Sequence, residues 1–191
     1  MWRTLMAINL LLCITACVGQ PPPPPPPVSG PARMNLMSWI PVHTGDKVPP
    51  GVNNLGPESA GNPNLLVVFC RGAMTEPDGF VSKHPGASYS RNGEIQGCFW
   101  HYGNTGGFSQ DFEVLAGPLD FVRAGEPGGL IGGSELGGTR PFGVCQFNDG
   151  NHVYVGKDFY AGCWYFNQFA NALNPQGKRS MGDQYSNVKS Q

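Results

Sequence analysis

The chain has 191 residues, of which 28 are glycine and 19 are proline, and only 13% are charged. A formal net charge of −1 without a basic block argues against nucleic-acid binding, which needs clustered lysine and arginine. No apolar run reaches the length of about 18 residues that a transmembrane helix requires. This composition predicts a turn-rich β protein with one core or two small packed units.

Residues 1–17 have the layout of a signal peptide. A short basic start precedes an apolar segment from Leu5 to Ala16, which is too short to span a bilayer. Residues 14–17, Ile-Thr-Ala-Cys, resemble the lipobox of bacterial lipoproteins, and the resemblance implies that Cys17 is acylated. A lipid on Cys17 would hold the protein at a membrane surface. Ordinary secretory cleavage near Ala16 or Gln20 is the alternative.

Residues 18–35 are predicted to form a proline-rich tether. Seven consecutive prolines, Pro21 to Pro27, favour a polyproline II rod of about 20 Å. Directly after a lipidated cysteine, such a rod would lift a folded domain off the surface. The alternative is a ligand for a proline-binding groove.

The rest of the chain contains the same sequence pattern twice, which indicates an internal repeat. In the first copy, residues 36–117, an apolar run ends at Cys70 and a Gly-Cys-aromatic run begins at Gly97. In the second copy, residues 118–174, the matching runs contain Cys145 and begin at Gly162. The first copy is longer, and Arg71 to Pro85 is interpreted as a surface loop that carries most of the extra length.

Short apolar and aromatic runs between glycine-rich turns predict the strands of the first copy. Pro41 marks an edge strand because proline lacks a ladder donor. The predicted strands are Trp39–Val42, Leu65–Cys70, Ala87–Ile95, Gly97–Tyr102 and Phe108–Leu115.

The second copy repeats this order. A glycine-rich turn spans Pro127 to Gly138, and Asp149–Gly150 is typical of a hairpin turn. Residues 175–191 are predicted to be a flexible polar tail, and no long helix is indicated. The predicted strands are Leu119–Ala124, Phe142–Phe147, His152–Gly156, Gly162–Phe166 and Phe169–Leu173.

The cysteine pattern favours disulfides. Of the six cysteines, Cys13 and Cys17 lie in the leader, and the other four occupy matching positions in the two copies. An even count in an exported chain is typical of disulfides, and three connectivities are open. We expect Cys70–Cys98 and Cys145–Cys163, one in each copy, since each pair would then join neighbouring strands. Four reduced buried thiols, or less readily a zinc site, are the alternatives.

Several short motifs resemble DM9 repeats. In the first copy they are Trp39-Ile-Pro, Val48-Pro-Pro-Gly-Val52 and Gly97-Cys-Phe-Trp-His-Tyr-Gly103; in the second they are residues 128–133, 153–157 and 162–165. The resemblance covers about residues 36 to 174. It implies an all-β fold of two intertwined, pseudo-symmetric antiparallel repeats in a sandwich or barrel. It also implies a lectin-like, carbohydrate-binding role, best known for mannose, and association with a second copy of the chain.

The resemblance also implies a sugar site. The family's site uses an acid in the glycine-rich turn, a polar hairpin residue and the lysine of a Gly-Lys pair, which fall here on Glu135, His152 and Lys157. Sugar hydroxyls donate and accept hydrogen bonds, so a carboxylate and an ammonium suit them. In the first copy Glu58 matches the acid, but Arg91–Asn92 stands where the Gly-Lys pair would be.

Each of these residues also has a purely structural interpretation. Lys157 is also consistent with a solvated hairpin residue, and His152 with a polar group at a strand edge. Trp164 is a candidate to stack on a sugar ring, although Trp100 and Trp164 both fit core positions better.

Enzymatic signals are weak. The four histidines are dispersed and no G-x-S-x-G motif is present. Asp111 and Glu113 lie on one face of one strand, about 7 Å apart at the backbone, which only faintly resembles a glycosidase pair. We therefore expect a non-catalytic, exported module without cofactor or metal that binds a glycan and contacts a membrane only through its lipid. A bacterial source would make it a cell-envelope or outer-membrane lipoprotein. A structural or protein-interaction component of the cell envelope is the alternative.

Overall fold

The computed structural model describes residues 36–59, 61–102, 105–123, 126–159, 162–166, 177–181 and 185–189. Within these ranges every regular element is a β-strand, and every pairing between strands is antiparallel, so the predicted all-β class is confirmed. The signal peptide with Cys17, the proline tether and the predicted strand Phe169–Leu173 lie outside the described residues. No helix in the described part of the chain has the length and apolarity to cross a membrane.

Short turns join the strands of several hairpins, such as β3 with β4 and β8 with β9, whereas the longer segment 44–64 separates β1 from β2. Their bounds are β1 Ser38–His43, β2 Leu65–Thr75, β3 Val81–Arg91, β4 Glu94–Tyr102, β5 Thr105–Ser109, β6 Asp111–Ala116, β7 Phe121–Arg123, β8 Ile131–Glu135, β9 Arg140–Asn148, β10 Val153–Asp158, β11 Gly162–Phe166, β12 Gly177–Met181 and β13 Tyr185–Val188.

The sheet is open. Its main path runs β1-β6-β2-β3-β8-β9-β10-β11-β12, with β4 and β5 branching from β3, and β13 pairing with both β7 and β9. Of the two expected architectures, a sandwich and a barrel, the closed barrel is therefore excluded.

The two repeats have the same plan of pairing. Cys70 on β2 lies opposite Gly86 on β3, and Cys145 on β9 lies opposite Gly156 on β10. In the first repeat β6 pairs with β1 and β2; in the second, β13 pairs with β7 and β9. The predicted pseudo-symmetry is thus confirmed at the level of strand order.

The repeats also interlock. β8 of the second repeat pairs with β3 of the first through Lys83 and Ser134, while Ser59 of the first repeat bridges to His152 of the second. One core cluster is shared by both repeats, which therefore cannot bury their apolar faces separately. Its buried members are Leu65, Val67, Phe69, Ala87, Tyr89, Leu115, Val144, Val155 and Val188.

Both expected disulfides are present, but the strands they join are not hydrogen-bonded neighbours. Cys70 on β2 and Cys98 on β4 lie on opposite sides of β3, and their Cα atoms are 5.9 Å apart. Cys145 and Cys163 likewise join β9 and β11 around β10, with Cα atoms 5.8 Å apart. Each three-strand unit therefore curls tightly around its middle strand.

Several segments differ from expectation. The turn predicted from Pro127 to Gly138 contains strand β8, because this segment pairs with β9, and the strand predicted from Phe108 to Leu115 is divided between β5 and β6. Arg71 to Pro85 is not a surface loop: it belongs to the long hairpin of β2 and β3, whose turn lies between Thr75 and Val81. The predicted flexible tail contains β12 and β13, and Val188 is fully buried in the shared core. β13 pairs with β7 and with residues 145–147 of β9, beyond the part of β9 that pairs with β8, so these residues of the predicted tail belong to the sheet.

Candidate functional site

The four residues expected to bind sugar fall into two pairs. Glu135 at the end of β8 pairs with Lys157 on β10, and Glu58 lies beside His152. In each pair the acid comes from the glycine-rich segment before the first long strand of its repeat. The surroundings of the two pairs differ.

The Glu135–Lys157 pair is buried. Lys157 Nζ donates to Glu135 Oε1 over 2.7 Å, and the two residues are 2% and 8% exposed. The ammonium also lies 4.6 Å from the ring centroid of Phe142 and 5.4 Å from that of Phe159. Burial lowers the pKa of Lys157, and the hydrogen bond and charge of Glu135 oppose this. Lys157 is therefore neither a solvated hairpin residue nor an open sugar ligand.

Two buried histidines complete this ionic cluster. His84 stacks on Trp100 at 5.0 Å between ring centroids, and its Nδ1 lies 3.7 Å from Glu135 Oε1. Burial, and then the charge of Lys157, lower the pKa of His84 to about 3 and that of His101 to about 4. Both imidazoles are neutral near pH 7, which leaves Lys157 as the cation that compensates Glu135.

The second pair joins the two repeats. His152 Nε2 lies 3.9 Å from Glu58 Oε1, and the backbone N–H of Val153 donates to the Glu58 carbonyl over 3.3 Å. Glu58 is 4% exposed, and its Oε2 accepts a hydrogen bond of 2.9 Å from Ser59 Oγ. His152 is one-third exposed and therefore offers a solvent-facing imidazole next to a buried carboxylate.

His152 lines a cleft between the repeats, which we call the junction cleft. The cleft has a volume of about 280 Å³. The Asp149 carboxylate fixes the adjoining hairpin by accepting hydrogen bonds from the backbone N–H groups of Asn151 and His152, at 2.9 and 2.8 Å. The predicted Asp-Gly turn therefore orders the wall of the cleft. Its lining residues are Leu55, Gly56, Pro57, Asn148, Gly150, Asn151, His152 and Val153.

A larger groove of about 450 Å³ lies on the four strands β1, β6, β2 and β3, and we call it the platform groove. Glu113 Oε2 accepts hydrogen bonds from Arg71 Nε and Lys83 Nζ, each 2.6 Å long. Burial raises the pKa of Glu113, but the hydrogen bonds and charges of both cations outweigh it and give a net lowering. At the outer end, His43 Nδ1 lies 2.8 Å from Asp111 Oδ1, a contact that raises the pKa of His43.

Sequence reasoning missed Arg71 and Lys83 as site residues because their segment was interpreted as a loop. The available signal was Pro77-Asp78-Gly79, a sequence typical of a tight turn between two strands. In the structure, Phe80 N–H donates to Asp78 Oδ1 over 2.9 Å, and Gly79 has a φ of 86°. Recognising this turn would have paired Ala73 with Lys83, whereas the proximity of Glu113 follows from the separate pairing of β2 with β6.

The first-repeat counterpart of the Gly-Lys pair was also assigned wrongly. Gly86 lies opposite Cys70 in the first repeat, and Gly156 lies opposite Cys145 in the second, so these two glycines are equivalent. The residue after Gly86 is Ala87, which therefore occupies the position of Lys157 in place of the expected Arg91–Asn92. The arms of the β3–β4 hairpin are longer than those of the β10–β11 hairpin, which caused the shift: Gly86 precedes Cys98 by 12 residues (98 − 86), whereas Gly156 precedes Cys163 by 7 (163 − 156). The first repeat therefore has the acid Glu58 without a partner lysine.

The tryptophans are mainly structural. Trp100 is 6% exposed in the first-repeat core, and its Nε1 donates to Ser109 Oγ over 3.0 Å. Trp164 is half-buried, donates from Nε1 to the Phe159 carbonyl over 2.9 Å and lies 5.3 Å from the ring of His101.

Within the described ranges, no group of three or more histidine, cysteine, aspartate or glutamate side chains is arranged to hold a metal ion. No protein-family model matches the chain, and no curated protein matches it. The resemblance to DM9 repeats therefore depends on the motifs quoted above.

Proposed function

We propose that this protein is an exported, non-catalytic carbohydrate-binding module whose sugar site is the junction cleft. One observation carries the proposal: His152, expected from the sequence to contact sugar, lines this cleft, and Glu58 of the other repeat is buried behind it with Oε1 3.9 Å from His152 Nε2. The Glu135–Lys157 pair contributes stability and not direct contacts, because its charges are buried against each other.

The chemistry of the cleft suits a sugar ring. Asn151 presents an exposed amide and His152 a partly exposed imidazole, groups that can both donate to and accept from hydroxyls. Leu55 and Pro57 supply apolar surface for the C–H face of a ring. A volume of about 280 Å³ is just below the range of about 300–1,000 Å³ for drug-sized ligands, which favours a small ligand such as one monosaccharide unit.

A binding role also fits Asp111 and Glu113, the carboxylate pair that resembles a glycosidase pair in the sequence. A glycosidase needs a general acid whose pKa is raised, so that it carries a proton near neutral pH. The pKa of Glu113 is lowered by its hydrogen bonds to Arg71 and Lys83, and Asp111 is highly exposed beside His43. This pair therefore suits hydrogen bonding and not proton transfer.

Binding of the full-length chain to an array of glycans that includes mannose-terminated structures tests the proposal. We expect selective binding, and about tenfold weaker binding for His152→Ala and for Asn151→Ala, the loss typical of one hydrogen bond in a binding site. Lys47→Ala is the matched control, since this exposed residue pairs with Glu94 away from the cleft. Unchanged binding by both cleft variants would place the site elsewhere, and a blank array from folded protein would favour an envelope scaffold.

The two disulfides are typical of proteins from oxidising, exported environments. We propose further that Cys17 carries a lipid and that the seven prolines after it act as a spacer. Incorporation of a labelled fatty acid in a bacterial host, lost in Cys17→Ser, tests this anchor. Release of unlabelled wild-type protein into the medium would show ordinary secretory cleavage instead.

A further inference from the structure

The platform groove has a regular arrangement that follows from the strand register. Pro41, Glu113 and Arg71 lie in one row across β1, β6 and β2, because each is opposite the next. His43 and Asp111 lie opposite each other two residues further along β1 and β6. Residues two apart on a strand share a face, so both rows project on the same side of the sheet.

The charged groups of the groove compensate one another. Glu113 is held by both Arg71 and Lys83, and Arg71 is fixed by a 3.2 Å hydrogen bond to the Gly132 carbonyl and by Trp39, whose ring centroid lies 4.4 Å away. A simple anion would meet Glu113 and Asp111, and a simple cation would meet Arg71 and Lys83. The groove therefore discriminates against strongly charged ligands.

The same groups form a row of donors and acceptors that solvent can reach. The side chains of Lys83 and His43 are 43% and 55% exposed, and those of Glu113 and Asp111 are 22% and 90% exposed. Charge-assisted hydrogen bonds from such groups suit ligands with many hydroxyls, which donate and accept at each position. Pro41 and Ala73 add apolar surface between the polar groups.

From this arrangement we propose that the platform groove is a second carbohydrate site, which takes a neutral oligosaccharide. The ligand class rests on the proposed function, whereas the site and its residues are independent of the junction cleft. The groove volume of about 450 Å³ exceeds the 280 Å³ of the cleft, so it accommodates more than one sugar unit. Two sites on one chain would also strengthen binding to polysaccharides through effective concentration.

Calorimetric titration of the full-length protein with mannotriose, maltotriose and cellotriose tests the second site. We expect two binding events per chain for at least one trisaccharide. Lys83→Met should remove one event, because it deletes the ammonium but leaves the Arg71–Glu113 contact in place. His152→Ala should remove the other event, and the double variant should bind none. Circular dichroism confirms that each variant is folded.

The outcomes separate the two proposals. A single event that His152→Ala abolishes and Lys83→Met leaves unchanged would overturn the groove site and retain the cleft. A single event that only Lys83→Met abolishes would support the groove and overturn the cleft. No binding of any trisaccharide by folded wild-type protein would overturn the groove site as proposed here.

Discussion

Lys157 illustrates how the face of a strand decides the role of a residue. Val155 and Lys157 are two apart on β10, so they share a face, and both are almost completely buried. The rings of Phe142 and Phe159 and the carboxylate of Glu135 surround the ammonium. Glu135 and Phe142 precede Lys157 by 22 and 15 residues (157 − 135 and 157 − 142), which is why the local pattern could indicate a lysine but not its buried ion pair.

This burial leads to a stability prediction. Lys157→Ala should lower the free energy of unfolding by about 3–5 kcal/mol, because it leaves the Glu135 carboxylate buried without its partner. Chemical denaturation of the purified protein measures this change.

The matched control is Lys47→Ala, which removes an exposed ion pair and should cost at most about 1 kcal/mol. Glu135→Leu combined with Lys157→Met should recover much of the loss, since apolar side chains can replace a buried pair. Equal stability of Lys157→Ala and wild type would show that the pair contributes nothing to the fold.

The three-strand units depend on close approach of their backbones. A Cβ atom at Gly86 would collide with the Phe99 carbonyl on β4, and one at Gly156 would collide with the Trp164 carbonyl on β11. These glycines lie opposite Cys70 and Cys145, at the level where each disulfide passes the middle strand. The tight curl and the disulfide thus occur together, at the same level of the three-strand unit, once in each repeat.

We predict that Gly86→Ala destabilises the protein by about 1–3 kcal/mol, the usual cost of overfilling a packed position. The collision is with backbone, which cannot move aside as a side chain would. The shift in the denaturation midpoint under oxidising conditions measures the effect.

Gly61→Ala serves as the comparison, since a Cβ there meets nothing within 4 Å. Its midpoint should stay within experimental error of wild type. If Gly86→Ala were as stable as Gly61→Ala, the close approach of β3 and β4 would be wrong.

For the whole molecule, the sequence predicted what depends on local pattern. The composition and the short apolar runs predicted the β class, and the duplicated cysteine runs predicted the two repeats and both disulfides; the structure shows all of these. It failed where long-range pairing decides: Val188 looks like part of a polar tail, yet it fills the shared core. The candidate site was predicted in part, because Glu58 and His152 meet only after the repeats interlock.

β13 also sets the order in which the molecule can be completed. The strand follows all the other described strands in the chain, yet β7 and β9 pair with it and the shared core contains its Val188. A chain exported from its N-terminus would therefore emerge with its core unfilled until β13 had crossed. Long-range antiparallel pairing is slow to form, so the protein would complete its fold after translocation, with both pairs of cysteines already in an oxidising compartment.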